Sequence, residues 1–120
     1  MIINLKNKHT LQVDSFYFKC SIGKNGLIKN KIEGDKRTPK GTFEIEHLYF
    51  RKDRLKKPKT SLKTIEIKEK MGWCDDIKVQ SKYNRLIKIE KNIKHEKLKR
   101  NDQKYDLLIP IKYNFNKIKV

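Results

Sequence analysis

The sequence predicts a mostly β fold with little helix, and three observations carry that prediction. Apolar residues recur at every second position in several short runs, the pattern of half-buried strands. No stretch keeps a long 3.6-residue apolar repeat, and the chain has no Ala, the strongest helix former. Gly, Pro, Asn and Asp punctuate the runs as turn residues do. At 120 residues the chain reads as one domain, 1–120, large enough for a core without a metal or disulfide.

Taken in order, Ile2 to Leu5 and Thr10 to Val13 predict a hairpin with Asn7-Lys8 near its turn. Phe16 to Ile22 predicts a strand with Phe16, Phe18, Cys20 and Ile22 on the core face. Residues 23 to 36 are loop-like, with Gly23, Gly26 and Gly34 among Lys and Asn. Thr42 to Phe50 predicts a strand that packs Phe43, Ile45, His47 and Tyr49 on one face. A basic connection with Pro58 leads to Thr64–Lys68, a short strand with Ile65 and Ile67 inward. Met71 to Asn84 has no clean period, and Arg85 to Glu90 is again strand-like. His95 to Arg100 predicts one or two helical turns. Tyr105 to Tyr113 gives the clearest alternation, with Pro110 marking a bulge or an edge.

The formal charge of +17 raises the question of a nucleic-acid partner. The residues argue against it. The chain has 26 Lys, 15 Ile and 9 Asn, no Ala and only 5 Arg, which is the mark of AT-rich codons on exposed positions. A phosphate binder recruits more Arg, whose planar fork grips phosphate in two places. The charge is also spread along the chain, which keeps acidic polymers and acidic lipid open as partners. Cys20 and Cys74 form no CxxC or Cys/His spacing, so no metal and no cofactor is expected. Cys20 reads as a small core residue. No apolar run is long enough to span a membrane, and the N-terminus lacks a signal-peptide core. As written, the chain is expected in the cytoplasm.

The least ordinary stretch is GDKRTPKGTF, Gly34 to Phe43. Thr38-Pro39-Lys40-Gly41 suits a type I turn, and Pro39 holds Thr38 extended. Asp35 is placed to bind backbone amides at the Gly34-Asp35 bend. On these grounds alone the stretch is a stiffened loop between strands.

Five stretches in order resemble a known family. GKNG (Gly23 to Gly26), EGDKRTPKGTF (Glu33 to Phe43), LYFRKDR (Leu48 to Arg54), GWCDD (Gly72 to Asp76) and Tyr83-Asn84 resemble L,D-transpeptidases of the YkuD/ErfK type. HEKLKRNDQKYDLLIPIKYN, His95 to Asn114, is similar to that family's text before its catalytic segment. The resemblance implies an antiparallel β-sandwich. It also implies acyl transfer from a peptidoglycan stem peptide through a cysteine thioester, assisted by a His and by backbone N–H groups. It implies a substrate groove framed by Gly34, Asp35, Thr38, Pro39, Gly41, Arg51, Arg54, Trp73, Asp75, Tyr83 and Asn84.

The family's His and Gly-Cys segment would follow Asn114, and no such stretch occurs within 1–120. The expectation is a domain incomplete at its C-terminus, with its catalytic Cys and His beyond Val120, inactive alone and open to completion by a second chain. Cys74 is a poor substitute, because Asp75 and Asp76 beside it disfavour a thiolate. It is expected to pack beside Trp73 or line the groove. Asp75 and Asp76 read most simply as solvated turn residues. Arg51 and Arg54 need their forks for a carboxylate, in an ion pair with an acid such as Asp53 or Asp75 before one in a substrate. The competing function is a small basic β-module that binds nucleic acid or another polyanion. The substrate of the family lies in the cell envelope, at odds with the missing export signal.

Overall fold

The computed structural model describes residues 1–113 and is all β, with no helix among them. Its chain forms two compact units, Met1–Thr42 and Phe43 onward.

The first unit opens with β1 (Ile3–Asn7), β2 (Thr10–Val13) and β3 (Phe16–Lys19), an antiparallel meander in the order β1-β2-β3. The predicted hairpin is present, with its turn at Lys8-His9. The third strand stops at Lys19, short of the expected Ile22. Phe16 is 66% exposed and Phe18 53%, so they are not core residues as expected. Alternation sets which face a side chain takes, but a face is buried only where a second layer covers it. Cys20 is half-buried, and its N–H donates to the His9 carbonyl.

Farther on, β4 (Leu27–Ile28) pairs in parallel with β5 (Thr38–Pro39). This replaces the type I turn expected at Thr38–Gly41. Thr38 N–H donates to the Gly26 carbonyl and Lys40 N–H to the Ile28 carbonyl, both at 2.9 Å. Pro39 falls between them, where the ladder needs no donor.

The second unit holds two three-stranded sheets. One orders β6 (Leu48–Phe50), β7 (Thr64–Glu66) and β11 (Leu107–Leu108) as β11-β6-β7. The other orders β8 (Met71–Cys74), β9 (Leu86–Lys88) and β10 (His95–Lys97) as β10-β8-β9. Pairing is antiparallel except between β6 and β7, which run parallel. Two parallel pairs, β4 with β5 and β6 with β7, stand within a mostly antiparallel fold.

Three expectations are corrected here. The strand expected over Thr42–Phe50 is confined to Leu48–Phe50, and all three residues are buried. A central strand is covered on both faces, so it reads as an apolar run and not as alternation. His47 is exposed, and Ile45 forms only an isolated bridge to Ile111. The helical turns expected at His95–Arg100 are a strand, because pairing with β8 overrides the helix preference of Glu, Lys and Leu. The long strand expected at Tyr105–Tyr113 pairs only at Leu107–Leu108 and again at Ile111. Pro110 interrupts it, buried, with its carbonyl accepting from Glu46 N–H at 2.8 Å.

The core of this unit is Tyr49, Ile67 and Leu98, with Ile65, Met71, Trp73, Leu86, Tyr105 and Leu108 packed against it. Met71 and Trp73 share one face of β8, while Gly72 and Cys74 share the other. Gly72 lies under the His95 ring: a Cβ there would come within 3.2 Å of His95 Cδ2 and 3.1 Å of Ile89 Cγ1.

Candidate functional site

The groove residues expected from sequence fall into three clusters. The first is the Gly34–Gly41 loop, which is zipped to GKNG by backbone. Lys36 carbonyl accepts from Asn25 N–H at 2.8 Å, and Thr38 Oγ1 accepts from Gly23 N–H at 2.6 Å. The approach is so close that a Cβ on Gly23 would sit 2.6 Å from the Lys36 oxygen. Gly34 has φ +82° and Lys36 φ +57°, a reversal that only Gly enters without strain.

Asp35 organises this loop. Its carboxylate accepts from Lys31 Nζ at 2.8 Å, Ile32 N–H at 2.9 Å and Arg37 N–H at 2.9 Å. The Lys31 ammonium, then the two amides, hold its pKa at about 2. Asn25 Nδ2 adds a bond to the Asp35 carbonyl at 2.9 Å. Lys31 and Asn25 were not singled out in the sequence. The available signal was the Lys-to-Asp spacing of four across a Gly-containing bend.

A second cluster surrounds Trp73. Its Nε1 donates to Asn84 Oδ1 at 3.0 Å, and Asn84 Nδ2 donates to the Tyr113 carbonyl at 3.0 Å. Asn84 holds a left-handed φ of +56°, which Asn tolerates better than most residues. Its N–H donates to the Cys74 carbonyl at 2.8 Å. One residue thus ties β8, the turn after it and the segment at Tyr113. Tyr113 meets Phe43 edge to face at 5.3 Å. Tyr83 lies beside Asn84, with its N–H on the Val79 carbonyl at 2.9 Å.

Asp75 and Asp76 differ from the solvated pair expected of them. Both are half-buried. Asp76 accepts from Lys94 N–H and Lys78 N–H at 3.0 Å, and these amides lower its pKa. Asp75 carries one buried carboxylate oxygen, Oδ1, with no hydrogen-bond partner among the described residues. Cys74 is sealed at 0% exposure and faces His95 across the β8–β10 pair. His95 Nδ1 lies 2.8 Å from the Ile93 carbonyl.

The third cluster is built by Arg51 and Arg54. Arg51 is 5% exposed and grips Asp53 with both prongs, Nε at 2.8 Å and Nη2 at 2.7 Å. The ion pair expected with Asp53 is therefore present. Arg51 Nη1 also donates to the Arg100 carbonyl. Arg54 reaches the carbonyls of Arg100, Asn101 and Asp102 and the Asp106 carboxylate. Both forks fasten the 100–106 segment to the end of β6. Among the described residues no group of three or more His, Cys, Asp or Glu is gathered to hold a metal.

An all-β chain whose shaped features are loops and strand ends is the class this geometry defines. The pattern of YkuD, the L,D-transpeptidase catalytic domain, matches residues 1–109, and the chain belongs to that family. Searches of the curated proteins and of the solved structures found no match.

Proposed function

We propose that residues 1–120 frame an acyl-transfer site for peptidoglycan stem peptides without supplying its nucleophile. The observation that carries this reading is the family match over residues 1–109 in a chain whose two cysteines lie in no His-Gly-Cys stretch. In the reaction inferred, a thiolate attacks the carbonyl of the third stem residue. The bond to the terminal D-residue breaks, and an amine then takes the acyl group. The full burial of Cys74 supports its exclusion from that role, since an attacking sulfur must reach the carbonyl.

Within this reading the first unit contributes a loop stiffened at Gly34, Asp35, Thr38, Pro39 and Gly41. Within the second unit Trp73, Tyr83 and Asn84 form a braced wall, and Arg51 and Arg54 position the 100–106 segment. Asp75 Oδ1 is a buried acceptor left unpaired among the described residues next to Cys74, so any substrate contact with it needs this wall to open. The test combines intact-mass spectrometry and amide NMR on the 120-residue chain with a stem tetrapeptide. The peptide should perturb the amides near Asp75 and Asn84 and leave no acyl adduct. An adduct on Cys74 would refute the missing nucleophile, and unmoved amides would refute the groove.

A second reading, a basic module for polyanions, is favoured by one feature. A cavity of about 670 Å³ near β6 and β7 is lined by Lys52, Arg54, Lys56 and Lys57 against Asp53 and Glu66. Asp53 is already neutralised by Arg51. Single-stranded DNA binding with a steep salt slope, flattened by K52E/K56E/K57E, would select this reading. Absence of binding at low salt would remove it.

A further inference from the structure

The β1-β2-β3 sheet has two unlike faces. Directly paired residues share a face. Ile3, Val13 and Phe16 make one cross-strand row, and Leu5, Leu11 and Phe18 make the next. That face is entirely apolar. The other carries Asn4, Gln12 and Tyr17, then Thr10 and Lys19. The apolar face is open at its edges, where Phe16 is 66% exposed, Phe18 53% and Ile3 40%, while Leu5, Leu11 and Val13 are half-buried. The two Phe rings lie side by side, 6.5 Å apart and tilted by 32°.

The charge around this face has a direction. Lys6, Lys8 and Lys19 gather at the end with the β1–β2 turn, and none makes an ion pair among the described residues. The only acid in residues 1–23 is Asp14, in the turn at the opposite end. An open apolar surface with a basic margin fits an anionic, amphipathic partner. A second copy would bring two chains of charge +17 together with like ends unscreened. Nucleic acid is a poorer fit: four of the six face residues are aliphatic, and none offers a base-pairing or base-stacking group beyond the two Phe rings.

We propose that this face seats on an anionic lipid surface as a peripheral contact. Phe16 and Phe18 enter the boundary of the acyl chains. Lys6, Lys8 and Lys19, at the turn end of the sheet, reach the headgroup phosphates along its margin. The inference stands independently of the acyl-transfer reading.

Flotation of the 120-residue chain with phosphatidylcholine vesicles, with and without about 30% phosphatidylglycerol, tests it. Binding should require the anionic lipid and weaken several-fold in about 0.5 M salt. F16S/F18S should weaken it by at least about tenfold, with circular dichroism showing the fold kept. Should that variant unfold, K6E/K8E/K19E decides, since it alters only exposed or half-exposed polar positions and should also weaken binding several-fold. Equal binding to neutral vesicles, no binding, or binding unchanged by these substitutions overturns the proposal. So does a dimer in sedimentation velocity that F16S/F18S dissolves without any vesicle binding, which would assign the face to a second copy. Single-stranded DNA binding lost in F16S/F18S, with no vesicle binding, would assign it to nucleic acid.

Discussion

Asp35 carries the clearest pH dependence. Its pKa falls from the ordinary 3.8 to about 2, chiefly through Lys31. A depressed carboxylate contributes stability that is fully present above the unfolded value and is lost as pH falls through the folded one. The loop should therefore hold at pH 5 and loosen between about pH 4 and pH 2. The amide shifts of Ile32 and Arg37 should titrate with a midpoint near 2; a midpoint near 4 would refute the bonds. Gly23→Ala forces a Cβ to 2.6 Å from the Lys36 oxygen. It should destabilise the first unit by about 1–3 kcal/mol in hydrogen exchange of the Asn25 and Thr38 amides. Asn84→Ala loses two side-chain bonds and places Ala at φ +56°. In urea unfolding followed by Trp73 fluorescence it should cost about 2–4 kcal/mol. N84G keeps the dihedral and should cost less. The sequence announced Asp35 through the turn chemistry of Gly34-Asp35. It named Asn84 through the family resemblance but could not announce its bracing role, because the partners of that side chain lie 11 and 29 residues away.

At the scale of elements, Arg51 and Arg54 add to the packing of Tyr105 in tying the end of β6 to the 100–106 segment. Arg51→Lys keeps the charge but loses the two-pronged grip on Asp53 and the reach to the Arg100 carbonyl. Its melting temperature should fall by several degrees, and R51A should fall no less. Equal melting of R51K and the parent chain would show that charge alone suffices. Short elements were legible where both strands of a pair are local, as in β1 and β2. The strand β10 was not, because a Glu-Lys-Leu-Lys run favours helix until β8 lies alongside it. The pairing of β11 with β6 links residues that sequence pattern cannot join. For the same reason Leu48–Phe50 looked like half of an alternating strand and proved to be a fully buried one.

Over the whole molecule the dominant quantity is charge. At +17, self-repulsion opposes the folded state, and salt screens it. Raising salt from about 20 mM to about 500 mM should raise the melting temperature by several degrees; a fall would show that the ion pairs outweigh the repulsion. The all-β class and the family were legible across the chain, since they rest on many short patterns in order. The division of contacts into two units was not, because no composition change marks Thr42-Phe43.

The sealed position of Cys74 makes the molecule its own stopwatch. Cys20 is half-buried, whereas Cys74 has no exposed surface. A thiol reagent should therefore label the chain in two phases. The slow phase advances only when β8 parts from its neighbours, so its rate counts openings of that sheet. Plotted against denaturant, it separates breathing of the sheet from collapse of the whole chain, with no probe added to the protein.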